Sequence, residues 1–234
     1  MNSDFLMHYG IPQMKWGVRR FQEKGSSKRT SEGKIRYAHS EKGLASKLYQ
    51  SAAKAEPKIT KDVVQSIKRS GAKSYGLKNR LKTESSLKRK IATDAEEKNI
   101  SLTKAANRIN DAIRYTAVMD DDRFADGYES IKADLENHGY TEVKCTNYFD
   151  KYRQGKSKHK QVTSVYENAN GERFELQFHT PSSIKVKETK TPIYEEARQL
   201  TTSASRKAEL EKQMDALAKQ VKTPKGVYGI KSHG

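Results

Sequence analysis

Three polar side chains stand two residues apart in the run Gly171–Thr180 (GERFELQFHT): Glu175, Gln177 and His179. Alternate side chains of a β-strand share a face, so a carboxylate, an amide and an imidazole would lie in a row. Such a row supplies a proton acceptor, a hydrogen-bonding clamp and a titratable ring, which suits the floor of a site. The intervening Phe174, Leu176 and Phe178 would then pack against helices. A solvated sheet face would carry the same alternation, so this strand alone leaves both readings open. A second stretch is basic. Lys78, Arg80 and Lys82 alternate with Asn79 and Leu81, and an extended segment would aim all three cations one way. Ser85 and Ser86 precede Leu87-Lys88-Arg89-Lys90-Ile91, which reads as the start of a helix. Backbone N–H groups at a helix start and nearby cations together suit a polyphosphate. A solvated basic loop would have the same composition.

Strands and helices must position these groups. Gln161–Glu167 is rich in β-branched residues and runs into Asn168-Ala169-Asn170-Gly171, a hairpin turn signal ahead of the Phe174–His179 strand. Ala112–Met119 and Tyr140–Tyr148 read as two more strands. Arg123–His138 lies between them, with Phe124, Tyr128, Ile131 and Leu135 at helical spacing. The fold class expected is α+β: a mixed β-sheet of four to five strands flanked by helices, with helical extensions at both ends. Residues 37–70 read as two helices divided at Pro57, the first marked by Leu44, Leu48, Ala52 and Ala53, the second by Val63, Val64 and Ile67, ending at Ser70-Gly71. Residues 201–222 read as an amphipathic packing or self-association helix, capped by Ser203 or Ser205, with Leu210, Met214, Leu217 and Val221 on one stripe. The basic tail 223–234 is expected to be loose.

Composition bounds the partners. The chain has 234 residues, of which 34% are hydrophobic and 32% charged, and a formal charge of +17. Residues 1–100 hold 23 Lys and Arg against 10 Asp and Glu, whereas residues 101–150 hold 6 against 10. The surplus lies outside the sheet and favours an anionic partner: nucleic acid, nucleotide phosphates or an acidic protein surface. A single cysteine, Cys145, excludes an internal disulfide and a cysteine-based metal site. No run approaches the roughly 20 apolar residues of a membrane span, and the first residues lack a secretory pattern. A soluble protein of a reducing compartment is expected.

Residues 1–36 read as a docking segment and linker. Leu6–Phe21 (LMHYGIPQMKWGVRRF) mixes aromatic, turn and basic residues without a period, and Gly25–Gly33 is linker-like. Tyr9, Met14 and Trp16 are candidate anchors. This run resembles a short segment of tailed-phage head-module proteins. The resemblance implies a phage or prophage source, a phage head protein as partner, and a location in the bacterial host cytoplasm or on the virion.

Taken in order, the pieces between Lys78 and Arg198 resemble the RelA/SpoT-type synthetase domain, a nucleotidyltransferase-like fold that moves pyrophosphate from ATP to a ribose 3′-hydroxyl. Arg80-Leu81-Lys82 with Ser86-Leu87-Lys88-Arg89-Lys90 looks like the family's basic donor-binding loop and following helix. Asp111-Ala112-Ile113-Arg114 looks like its first strand, and Glu175-Leu176-Gln177-Phe178-His179-Thr180 like its Glu-x-Gln-Ile-Arg-Thr strand. Glu188 falls at the spacing of the next helix glutamate. The resemblance implies a domain over 71–200, set between the 37–70 helical extension and the 201–234 helix and tail. It implies Asp111 and Glu175 as catalytic residues and Mg²⁺ ligands. Arg80, Lys82, Lys88 and Arg114 would be donor-phosphate clamps, and Gln177 and His179 acceptor-orienting groups. Three departures stand out. The family's metal-binding aspartate falls at Ile109, its acceptor-stacking Gly-Tyr pair at Gln161-Val162, and its arginine at His179. The function expected is ATP-dependent pyrophosphoryl transfer to a nucleotide or RNA 3′-hydroxyl. The alternative is a catalytically degenerate, phage head-associated structural or interaction protein.

Overall fold

The computed structural model describes residues 40–197, 199 and 201–234; the Leu6–Phe21 segment lies outside them. The first described helix, α1, runs unbroken over Glu41–Arg69 with Pro57 inside it. The expected division at Pro57 is therefore corrected. Proline removes one backbone hydrogen bond, yet one stripe of Ala52, Ala55, Ile59, Val63 and Ile67 is buried on both sides of it. That shared burial keeps the two halves collinear. Ser40 caps the start by accepting from the Gly43 amide, and Gly71 adopts a φ of 78° just past the Ser70 C-cap.

After β1 (Lys73–Ser74) come α2 (Glu84–Glu97), the short α3 (Leu102–Ala106), β2 (Arg114–Val118), α4 (Phe124–Asn137), β3 (Tyr140–Asn147), α5 (Tyr148–Arg153), β4 (Val162–Asn168) and β5 (Arg173–His179). Two further helices close the described chain, α6 (Pro181–Ala197) and α7 (Ala204–Lys219). The five strands form one mixed sheet in the order β1-β2-β5-β4-β3. Only the β2–β5 pair is parallel. The expected strand–helix–strand–strand–strand order holds, and Phe174–His179 is central. The β4–β5 turn forms as the Asn-Gly pair requires: Gly171 has a φ of 76°, and the Asn168 side chain accepts from the Asn170 and Glu172 amides.

One sheet face is the core. Phe174, Leu176 and Phe178 are fully buried. Phe174 meets the rings of Tyr115, Tyr140 and Tyr166, and Phe178 meets Tyr128 of α4. The other face carries Arg114 and Thr116 of β2 with Glu175 and Gln177 of β5. A bulge at Val143 breaks the alternation of β3. Glu142 therefore turns into the core, where the Tyr128 hydroxyl donates to it at 2.9 Å, while Lys144 pairs with Val165 on the polar face. No described helix is long and apolar enough to cross a membrane.

The C-terminal tail is not loose. His233 bridges Cys145 of the edge strand β3, and Val227 and Ile230 are buried. The buried Asn147 holds the tail, donating to the Val227 carbonyl at 2.7 Å and the Ile230 carbonyl at 3.0 Å. Its side-chain oxygen accepts from the Phe149 and Asp150 amides and caps α5. Composition alone does not reveal this, because the anchoring partner is some 80 residues away. The tail thus covers an edge that would otherwise be open to pairing with another chain. The α7 helix forms and Ser203 caps it; of the expected stripe Leu210 is buried, Met214 and Leu217 are half-buried, and buried Val221 lies past the helix end. Asn147→Ala is expected to lower unfolding free energy by about 2–4 kcal/mol in a urea titration, since two carbonyls and two amides lose partners. A loss under about 0.5 kcal/mol, typical of a neutral surface change, would show that the tail is held by other contacts.

Candidate functional site

The parallel pairing sets Arg114 opposite Glu175, and Asp111 lies just before β2. Asp111 and Glu175 line one cleft of about 350 Å³ on the polar sheet face, within the usual size range of ligand sites. Lys90 of α2, Lys144 and Thr146 of β3, Tyr148 of α5 and Thr163 of β4 also line it. Three cations surround Asp111: Lys82 at 3.2 Å, Lys90 at 3.9 Å and Arg114 at 4.0 Å. Even so, its buried Oδ1 accepts no hydrogen bond. Glu175 accepts from Gln177 Nε2 at 2.7 Å. Burial, followed by the charge of Asp111, raises the Glu175 carboxyl above the ordinary glutamate range, against the pull of Arg114.

The basic stretch is arranged differently from the extended run expected. Leu77–Asn79 forms a 3-10 turn, and Arg80 keeps a helical backbone. Lys78, Arg80 and Lys82 therefore do not point together. Arg80 turns to Glu56 of α1 and to the Leu77 carbonyl. Leu81 bridges Ile113, which places Lys82 beside Asp111. Burial, then the neighbouring Arg114, lowers the Lys82 pKa, and Asp111 opposes them. Lys88 is exposed on α2. Lys90, two residues on, lies about 200° around the helix and takes the place in the cleft. Burial of Leu87 and Ile91 fixes that orientation. The signal was present in the sequence, since a helix that buries Leu87 and Ile91 cannot present Lys88 and Lys90 on one face.

His179 lies at the end of β5, 1% exposed, with Nδ1 2.8 Å from Ser183 Oγ. It lines a second, smaller pocket. Glu188 is exposed on α6, where the Tyr75 hydroxyl donates to it. Two residues not anticipated complete the picture. Lys187 of α6 donates to Gln177 Oε1; burial, then Arg114, pushes its amine down to about 8. Tyr148 brings an aromatic ring to the cleft, and its amide donates to the Gln161 carbonyl at 2.9 Å. An aromatic group therefore stands beside the Gln161-Val162 position that lacks one. Neither residue was legible by spacing, because each reaches the site from a different element.

A model of a family of unknown function, DUF7211, matches residues 2–23, which include the Leu6–Phe21 segment. No curated protein matches the chain. Among solved structures, it is similar to a GTP pyrophosphokinase family protein from Streptococcus pneumoniae, at 15% identity and a TM-score of 0.48 over 82% of this chain and 89% of that one. It is similar to the type VI effector Tas1, solved with its immunity protein, at 17% identity and a TM-score of 0.47 over 75% and 96%. It is also similar to small alarmone synthetase 1 from Bacillus subtilis bound to its product pppGpp, at 16% identity and a TM-score of 0.42 over 63% and 72%.

The raised Glu175 carboxyl has a consequence for stability. A carboxyl whose folded pKa exceeds its unfolded value weakens the fold once ionised, so stability is lost as pH rises through the raised pKa. Glu175→Gln is expected to raise Tm at neutral pH, and the gain should vanish on acidification, as the wild-type carboxyl takes up its proton. A lower Tm at neutral pH would mean that Arg114 and Lys82 more than offset the burial.

Proposed function

We propose that the protein transfers a pyrophosphoryl group from ATP to a hydroxyl of a nucleotide or of RNA in the cleft between Asp111 and Glu175. The observation that carries this reading is that Asp111 and Glu175 line one cleft with Lys90, while Lys82 and Arg114 reach Asp111 at 3.2 and 4.0 Å. A divalent cation fits these residues. Asp111 has a buried oxygen without a hydrogen bond, and its charge burdens Glu175. A hard ion that takes one or two carboxylates and completes its shell with phosphates and water would relieve both. Asp111 and Glu175 would hold Mg²⁺, which when bound screens the phosphate charge.

The chain's own groups supply the rest. Lys82, Lys90 and Arg114 absorb charge on the donor phosphates, where most of the catalytic effect of phosphoryl transfer arises. Glu175 accepts the proton of the attacking hydroxyl, as an ionised carboxylate within reach of it can do. The hydroxyl oxygen bonds to the β-phosphorus of ATP, the bond from that phosphorus to the α–β bridging oxygen breaks, and AMP leaves with the electron pair. Gln177 holds one Glu175 oxygen, leaving the other for the hydroxyl. Tyr148 offers a ring face to a nucleobase.

A second reading has its own support. Three cations already compensate Asp111, and the position where the resembling family places its metal-binding aspartate is the buried Ile109. In this reading the site is degenerate, and the chain acts through Leu6–Phe21 on a phage head component. Incubation with labelled ATP, Mg²⁺ and mixed nucleotides and RNA separates the two. The transferase reading expects transferred label, a loss of at least about 100-fold in Glu175→Gln, and about a tenfold rise in KM for ATP in Arg114→Ala. No transfer and no ATP binding at millimolar nucleotide would retire it. The interaction reading expects a chain lacking residues 1–30 to keep its Tm and to lose co-purification with particles.

A further inference from the structure

The bulge at Val143 decides which side chains of β3 reach the cleft. Tyr140 and Glu142 face the core, so strict alternation would send Lys144 after them. The extra residue resets the count. Buried Cys145 takes the core side, and Lys144 and Thr146 line the cleft with Lys90. The carboxylates of that cleft are engaged elsewhere. Asp94 pairs with Lys98 at 3.2 Å, Asp111 with Lys82, Lys90 and Arg114, and Glu175 accepts from Gln177. Among the described residues no carboxylate comes within ion-pair distance of Lys144.

Three consecutive residues, Ser232, His233 and Gly234, hold the bulge. His233 and Cys145 exchange two backbone hydrogen bonds, at 2.9 and 3.0 Å. The Asn147 amide donates to Ser232 Oγ at 2.9 Å. On the other side of the extra residue, the His233 ring meets buried Glu142 through Nε2 at 3.0 Å. Gly234 sits against the bulge itself. A Cβ there would stand 2.5 Å from the Val143 carbonyl oxygen and 2.8 Å from Lys144 Cα. Its φ of 90° also favours glycine. A bulge leaves its extra residue outside the ladder, and an edge strand has no second strand to steady it. The tail takes that place, with one hold before the bulge, one on it and two after it.

We propose that Ser232-His233-Gly234 is a positioning element for the cleft, fixing the bulge so that the Lys144 ammonium is presented to a phosphate of the donor nucleotide. The identity of that anion rests on the transferase reading; the rest stands on the geometry of the bulge. What the tail controls is a change of face. A slip of one residue would carry Lys144 to the core side and Cys145 into the cleft. The core does not accept an unpaired ammonium, so the strand would leave its register there and Lys144 would lose its fixed place. Lys144 would add a cation from β3 to those that reach Asp111 from β2, α2 and the turn before it, so that the donor is held from both sides.

The first measurement needs no turnover. In the full chain, nuclear Overhauser contacts between the Lys144 side chain and the methyl groups of Val165, its cross-strand neighbour, report the cleft-facing arrangement. They are expected in the wild type and expected to be lost in Gly234→Ala, whose Cβ has no room. Should Gly234→Ala not fold, His233→Ala takes its place, since it keeps the backbone bridge and gives up only the bond to Glu142. Contacts that persist unchanged in the variant, or that the wild type lacks, would overturn the proposal.

The second measurement is kinetic. Lys144→Gln should raise KM for ATP about tenfold, the loss of one charge-assisted hydrogen bond to the bound donor, with kcat little changed. Gly234→Ala should raise KM by no more than that. The double variant should match Lys144→Gln, because an element that acts through Lys144 then has nothing left to act on. Effects that multiply would show the tail acting on the fold at large and would overturn the positioning role. A wild type that transfers nothing retires the transferase reading, and with it the donor as the anion, while the first measurement still decides whether the tail sets Lys144.

Discussion

Five consecutive residue pairs join β2 to β5 in parallel, from Arg114 with Glu175 to Val118 with His179. The candidate site depends on this junction. It spans some 60 residues of chain, and parallel neighbours cannot be joined by a tight turn. Its closure is offset by burial on the far face, where Tyr115 and Ala117 of β2 lie beside Leu176 and Phe178 of β5, all nearly inaccessible. The same pairing that buries these four residues puts a guanidinium beside a carboxylate on the opposite face. A slip of one residue would send Glu175 into the helix layer and Phe174 into the cleft.

Charge is distributed in keeping with this arrangement. The sheet's polar face gathers cations at two places, around Asp111 and around His179, with Gln177 and Lys187 between them. Asp111 meets cations but no described hydrogen bond at Oδ1, and the second place has no acid of its own. Several charges elsewhere are paired. Arg80 goes to Glu56, Arg69 to Asp134, and Lys132 to Glu142.

The edge of the sheet is organised by two local devices. The bulge at Val143 lets one strand feed both faces, with Glu142 in the core and Lys144 and Thr146 toward the cleft. Buried Glu142 is acceptable because Tyr128, His233 and Lys132 all reach it. His233 belongs to the tail, so the segment that covers the edge strand also satisfies this carboxylate. Asn147 completes the arrangement by serving the tail with its amide nitrogen and α5 with its oxygen.

The sequence by itself determined the elements whose periodicity is local. The alternation of Phe174, Leu176 and Phe178, the Asn-Gly turn, and the spacing of Phe124, Tyr128, Ile131 and Leu135 each express a face that must be buried. It also placed Asp111, Arg114 and Glu175 on strands or at strand ends, and Asp111 and Glu175 line one cleft. Only the tertiary structure decided which basic residues reach that cleft. Lys82 comes beside Asp111 because Leu81 bridges Ile113, Lys90 reaches the cleft through the burial of Leu87 and Ile91, and Arg80 is drawn off by Glu56 on a distant helix. Pro57 stayed within a helix because burial on both sides outweighs one lost hydrogen bond. The tail was ordered by an asparagine far away in sequence. Periodicity reports which face a residue shares with its neighbours, whereas these outcomes depend on contacts between segments that are distant along the chain.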